Sequence, residues 1–178
     1  MKSKYNLAVP KLAKAWGIVE KMGKSENPEV LGFHEELIKA LDTSKWTDAE
    51  DQMLAKVTER ANYLRHVLDM HFAKDTAQGK WNPDVPSTGH CAVAAIIGHW
   101  MFRWRVGSSI VNQASHWYNM AHGLTIDITG DQFGKPEVQV SRSILYPHKH
   151  RVRAISEANE ETIRRANLLA QRAGLVYS

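Results

Sequence analysis

The chain has 178 residues, of which 43% are apolar and 24% charged, a composition that excludes wholesale disorder and suits one domain, or one domain with a helical extension. The net charge of +4 is spread along the chain, so it does not by itself indicate a nucleic-acid partner. One cysteine excludes an intramolecular disulfide framework.

The first residues are basic, but Pro10, Lys11, Lys14 and Trp16 interrupt the next stretch, which is too polar for a secretory core. No apolar run approaches bilayer length, so the expectation is a cytoplasmic chain with no membrane partner. Val9 to Met22 and Pro28 to Leu41 read as two short helices, the second with Val30, Leu31, Leu37, Ile38 and Leu41 on one apolar face. A third starts at a capping box, Thr47 with Glu50. Met53, Leu54, Val57, Ala61, Leu64, Val67 and Leu68 then recur at helical spacing toward Ala73.

Regularity breaks between Thr76 and Gly89, where Gly79, Pro83, Pro86 and Ser87 fall. This predicts a helical N-terminal region over 1–78 and a second domain over 79–178. Cys91 to Phe102 is almost continuously apolar and alanine-rich, a pattern for a buried helix with Ser87 or Thr88 as its N-cap. Ser109 to Asn119 and Leu124 to Thr129 are β-rich and joined by Met120 to Gly123, a hairpin signal. Val138 to Leu145 reads as a further strand, and Ala158 to Gly174 as a closing helix with Gly174 at its C-cap. The fold class expected is α+β, with the cysteine-bearing helix packed on a short antiparallel sheet.

A thiol in the first turn of a helix sits where the unpaired N–H groups favour an anion. Cys91 occupies that position, although a lone cysteine among alanines is also an ordinary small core residue. The hairpin adds to the chemical reading. If Asn119 pairs with Leu124 across a four-residue loop, His116 falls directly opposite Asp127, with Tyr118, Thr125 and Thr129 on the same face. A carboxylate on one imidazole nitrogen leaves the other free to take a thiol proton. Helix-start cysteine, then histidine, then aspartate is the order of a papain-like triad.

His90, Asn119 and Trp117 are candidates for the oxyanion hole or the pocket, with Asp131 and Asn119 as alternative orienting groups for His116. His99 lies about 12 Å along the helix from Cys91, too far for direct proton transfer. One cysteine with His148 and His150 matches no common zinc spacing, so no metal and no cofactor is expected. Arg142, Lys149, Arg151 and Arg153 make a basic segment that reads as a solvated face rather than a nucleic-acid groove.

Three stretches resemble a known family. Trp81 to Ala95 (WNPDVPSTGHCAVAA), Ser115 to Asn119 (SHWYN) and Ile126 to Phe133 (IDITGDQF) are similar, in that order, to the YunG-like bacterial proteins. The resemblance covers residues 80 to 178. It implies a cysteine–histidine–aspartate arrangement, which carries onto Cys91, His116 and Asp127. It also implies glutamine before the cysteine, where this chain has His90.

The expected function is thiol acyl chemistry on a protein, peptide or small amide: Cys91 as nucleophile, His116 as proton carrier and Asp127 as its orienting group. Peptidase, isopeptidase, amidase, deamidase and acyltransferase all fit those roles. A protein-binding module that keeps the fold without catalysis is the alternative.

Overall fold

The computed structural model describes residues 48–175, so the two expected helices before residue 42 and the Thr47 cap lie outside the described residues. Within them the fold is α+β. Three α-helices, α1 (Asp48–Asp69), α2 (Cys91–Phe102) and α3 (Glu160–Arg172), accompany five strands: β1 (Arg105–Val111), β2 (Ala114–Ala121), β3 (Leu124–Asp127), β4 (Gln139–Ser141) and β5 (Arg151–Arg153). The strands form one antiparallel sheet in the order β4-β3-β2-β1-β5. Because β4 and β5 lie at opposite edges, the segment from 142 to 150 crosses the sheet between them.

The alanine-rich run forms α2 with the bounds its composition suggests, and Ala92 to Gly98 are all buried. Its cap differs from expectation. The N-cap is His90, and no side chain caps the helix; Ser87 instead donates to Asp131 and Thr88 to the Val85 carbonyl. Gly98 brings α2 so close to β2 that an added Cβ would collide with Asn119 Oδ1. Asn119 Nδ2 donates to the Ala95 carbonyl at 2.8 Å, which ties helix to strand. The Asn159 side chain caps α3 by accepting from Thr162 N at 2.8 Å.

The β-rich run from Ser109 to Asn119 is two strands, not one. Asn112 and Gln113 sit between Val111 and its partner Ala114, both at positive φ (49° and 65°), as a two-residue primed turn requires. His122 and Gly123 do the same between Ala121 and Leu124 (53° and 78°), so the expected four-residue loop is a two-residue turn. The stretch from Val138 to Leu145 is strand only at Gln139–Ser141, and part of the expected basic face forms the edge strand β5.

Two cores flank the sheet. The larger joins Val57, Ala61, Leu64 and Leu68 of α1 to Val93, Ile96 and Ile97 of α2, to Leu124 and Ile126 of β3, and to Ala166 and Leu169 of α3. Burying an aliphatic side chain of this size contributes about 1.5–3 kcal/mol, so α1 is integral to this core. The boundary drawn at residue 78 is therefore no break in packing. Tyr118, Met120 and Tyr146 form a second cluster with Phe133 and Val152, covered by the crossing segment. Among the described residues no helix is long and apolar enough to cross a membrane.

Candidate active site

His116 and Asp127 come together under the crossing segment, each with a side chain 1% exposed. Asn119 pairs with Ile126, and carrying that register one residue further sets Asp127 opposite Tyr118. His116 is thus the diagonal neighbour of Asp127, not the direct one. The difference from the expected register is two residues along the partner strand, an even number, so both side chains keep the same face. His116 Nε2 and Asp127 Oδ2 are 2.9 Å apart.

Every lone-pair direction of the carboxylate finds a donor. Tyr146 OH donates to Oδ2 at 2.6 Å, and Thr129 N and Thr129 Oγ1 each donate to Oδ1 at 2.9 Å. Burial works against an ionised Asp127, yet His116, Tyr146 and the Thr129 amide outweigh it and hold its pKa below the usual carboxylate value. Aromatic edges box the imidazole: Phe133 at 4.7 Å and Tyr146 at 4.8 Å between ring centroids, both near perpendicular.

Cys91 is the first residue of α2 and is half-buried. Burial opposes a charged His116, but the bond to Asp127 and the interactions with Cys91 push its pKa up to about 9. Asp127 occupies Nε2, and Nδ1 is buried without a formed hydrogen bond, which leaves Nδ1 as the nitrogen available to the thiol. With no side chain capping α2, its first-turn amides add their partial positive charge beside the sulfur.

The remaining sequence candidates stand elsewhere. The fully buried His90 ring packs on Phe72 at 4.5 Å, and its Nε2 lies 2.9 Å from Thr76 Oγ1. Burial pushes its pKa down to about 4, which keeps it neutral. Asn119 lies on the opposite face of β2 from His116 and serves the helix–sheet junction. Trp117 is half-buried beneath the Arg153 guanidinium, 5.1 Å from its ring centroid. Asp131 pairs with Arg65 rather than with His116. His99 holds the Trp104 carbonyl through Nδ1 at 2.7 Å. Among the described residues no group of three or more histidine, cysteine and carboxylate side chains is placed to hold a metal ion.

Two features escape a reading of the sequence. Tyr146 arrives from 19 residues beyond Asp127, and no local pattern marks it. The second is a buried link behind the site. Arg65 of α1 donates from Nη1 and Nη2 to the two oxygens of Asp131, both at 2.9 Å, and from Nη1 to the Ile128 carbonyl at 3.0 Å. Ser87 Oγ donates to Asp131 Oδ1 at 2.6 Å. The segment leading to Cys91 and the segment following Asp127 are thereby tied to one guanidinium. A signal for it exists: Arg65 follows Ala61 by four and precedes Leu68 by three, inside an apolar stripe.

The YunG protein family matches over residues 60–173, a span that includes the C-terminal part of α1 and Arg65. A protein of Bacillus subtilis (strain 168), "Uncharacterized protein YunG", is 28% identical over 101 residues, covering 56% of this chain and 81% of that protein. No solved structure gives a significant match. The chain belongs to the YunG protein family.

Proposed function

We propose that the protein is a cysteine-dependent acyl hydrolase or acyltransferase with a papain-like arrangement of Cys91, His116 and Asp127. One observation carries this reading. A buried imidazole has a carboxylate on one nitrogen and its other nitrogen unbonded, and the chain's single cysteine, in the first turn of a helix, is among the groups that raise its pKa. A core cysteine needs none of these partners.

The chemistry follows from the proton positions. With the thiol proton on His116 Nδ1, Cys91 Sγ attacks the substrate carbonyl carbon, and the carbonyl π pair moves to oxygen. The first-turn amides of α2 lie at the helix end where that oxyanion is favoured. Collapse of the tetrahedral species breaks the bond to the leaving nitrogen or oxygen, which takes the proton from His116. A thioester remains on Cys91. Water or an acceptor amine then gives a proton to His116 and attacks the thioester, and the thiolate leaves. Asp127 keeps its charge throughout and holds Nε2–H, which fixes the tautomer.

Alkylation by iodoacetamide in the native protein, followed by mass spectrometry across pH, is the test. A paired thiolate reacts at pH 6, where a free thiol of pKa ~8.5 has lost about two orders of magnitude in rate. Modification that requires denaturant would overturn the assignment and leave a fold that binds rather than cleaves.

A further inference from the structure

We propose that Tyr146 is a fourth member of this site, a positioning residue that acts through Asp127: its hydroxyl and His116 Nε2 share one carboxylate oxygen. That sharing fixes the carboxylate and limits how tightly the imidazole keeps its proton. The inference deepens the thiol reading and rests on it.

The geometry is specific. Asp127 Oδ1 is already saturated by the two Thr129 donors, so Oδ2 alone serves the ring, and Tyr146 OH reaches it at 2.6 Å against 2.9 Å for His116. The tyrosine ring also stands edge-on to the imidazole, 4.8 Å away, and so acts on both members of the pair. Its hydroxyl is itself held, since Gln139 Nε2 donates to it at 3.2 Å. With the Gln139 proton on its oxygen, Tyr146 turns its own proton to Asp127. Burial, with the Asp127 charge beside it, raises the Tyr146 pKa, so the hydroxyl stays a donor.

The other charged or titratable groups facing the cluster are few. Lys135 Nζ lies 4.4 Å over the Tyr146 ring, and Cys91, on α2, is among the groups that raise the His116 pKa. Tyr118, across from Asp127 in the strand pair, stands 6.0 Å from His116, and its hydroxyl is bound to Ser109 and His150. None of them competes for Oδ2.

A hydrogen bond donated to a carboxylate lowers the proton affinity of that oxygen and weakens its hold on a second donor. Without the Tyr146 proton, Oδ2 serves His116 alone, and the imidazolium becomes harder to deprotonate. A group that must return its proton to a leaving atom gains from being held below that limit.

The experiment is a titration of His116 ring protons by NMR in the full chain, comparing Tyr146→Phe with the parent, both carrying Cys91→Ala. In that background the result does not depend on whether Cys91 is a nucleophile, so failure here is distinct from failure of the alkylation test. The expected result is a rise in the His116 midpoint of about half a unit or more. An unchanged or lowered midpoint overturns the proposal. Water admitted by a loosened ring would also favour the imidazolium, because burial opposes its charge, so a second variant separates packing from the hydrogen bond. Site-specific 3-fluorotyrosine at 146 keeps the packing and the bond and strengthens the donor. The midpoint then falls if Tyr146 acts through Asp127, and stays fixed if it does not.

Discussion

His116 meets Asp127 on the diagonal of the β2–β3 pair, with Tyr118 directly across from the carboxylate and the two bonded atoms 2.9 Å apart. A diagonal pair is about 7–8 Å apart at Cα, so both side chains must reach along the strands to meet. The Thr129 bonds to Oδ1 and the Tyr146 bond to Oδ2 hold the carboxylate in that reach. Orientation here comes from the donors around Asp127 rather than from strand register alone.

Asp127→Asn should keep the fold and damage the site. The amide is nearly isosteric, but it removes the charge that raises the His116 pKa and can present an N–H toward Nε2. Hydrogen bonds to charged groups contribute about 1.5–3 kcal/mol. The His116 midpoint should therefore fall by about one to two units, and alkylation of Cys91 at pH 6 should slow by at least tenfold. NMR titration and mass spectrometry check the two effects. A wild-type midpoint in the variant would remove Asp127 from the site.

Two buried histidines give the stability curve two slopes of opposite sign. His90 has a folded pKa of about 4 against 6.5 ordinarily, so the unfolded chain binds more protons between those values. Its contribution is complete above pH 6.5 and is lost as pH falls toward 4. His116 has a folded pKa of about 9, so its contribution is complete below pH 6.5 and is lost as pH rises through 9. Each shift of this size corresponds to roughly 3 kcal/mol. Denaturant midpoints should peak near pH 6.5, with His90→Gln flattening the acid limb and Asp127→Asn the alkaline limb. Asp127 adds a further loss as pH falls through its own depressed value.

Much of the arrangement is legible in the sequence because its signals are local. The α2 bounds follow from an alanine-rich apolar run that ends at Phe102, and Arg103 then turns left-handed at φ 57°. The pairing of His116 with Asp127 is readable despite a wrong loop length, since a slip of two residues preserves the face. The turn at Asn112–Gln113 is not, because glutamine at positive φ announces nothing. Residues 151–153 read as solvated charge, and a three-residue edge strand has too little alternation to show otherwise. Tyr146 and Arg65 escape for one shared reason. Each acts at a distance along the chain, through a partner that only the folded topology supplies.

Residues 79–178 alone should not fold. That fragment lacks Val57, Ala61, Leu64 and Leu68, all nearly inaccessible in the core shared with α2 and α3. Within the full chain, Leu64→Ala should cost about 2–5 kcal/mol, the usual scale for a buried leucine. Circular dichroism of the fragment and urea unfolding of the variant provide the measurements. A cooperative transition in the fragment would show that the division at residue 78 is a true domain boundary.

The link from α1 to the cysteine segment runs through a single guanidinium. Arg65 is 4% exposed and binds both Asp131 oxygens, and Asp131 in turn accepts from Ser87, four residues before Cys91. Removing one partner of a buried ion pair strands the other charge, at a cost of about 3–5 kcal/mol. Arg65→Ala should therefore unfold much of the population at moderate temperature. Arg65→Lys keeps the charge but loses the fork that reaches Asp131 and the Ile128 carbonyl together, so it should be intermediate. Ser87→Ala is the more informative change, because it deletes a single hydroxyl and leaves the ion pair in place. Its effect on stability should be about 1 kcal/mol, the net contribution of one such bond. Its effect on reactivity should be larger in proportion, since Ser87 ties the Cys91 approach to the segment that follows Asp127. Alkylation at pH 6 should slow severalfold, and Ser87→Thr, which restores the hydroxyl, should recover most of the rate. If Ser87→Ala lowers the melting temperature yet leaves alkylation unchanged, the link supports the fold without placing the thiol.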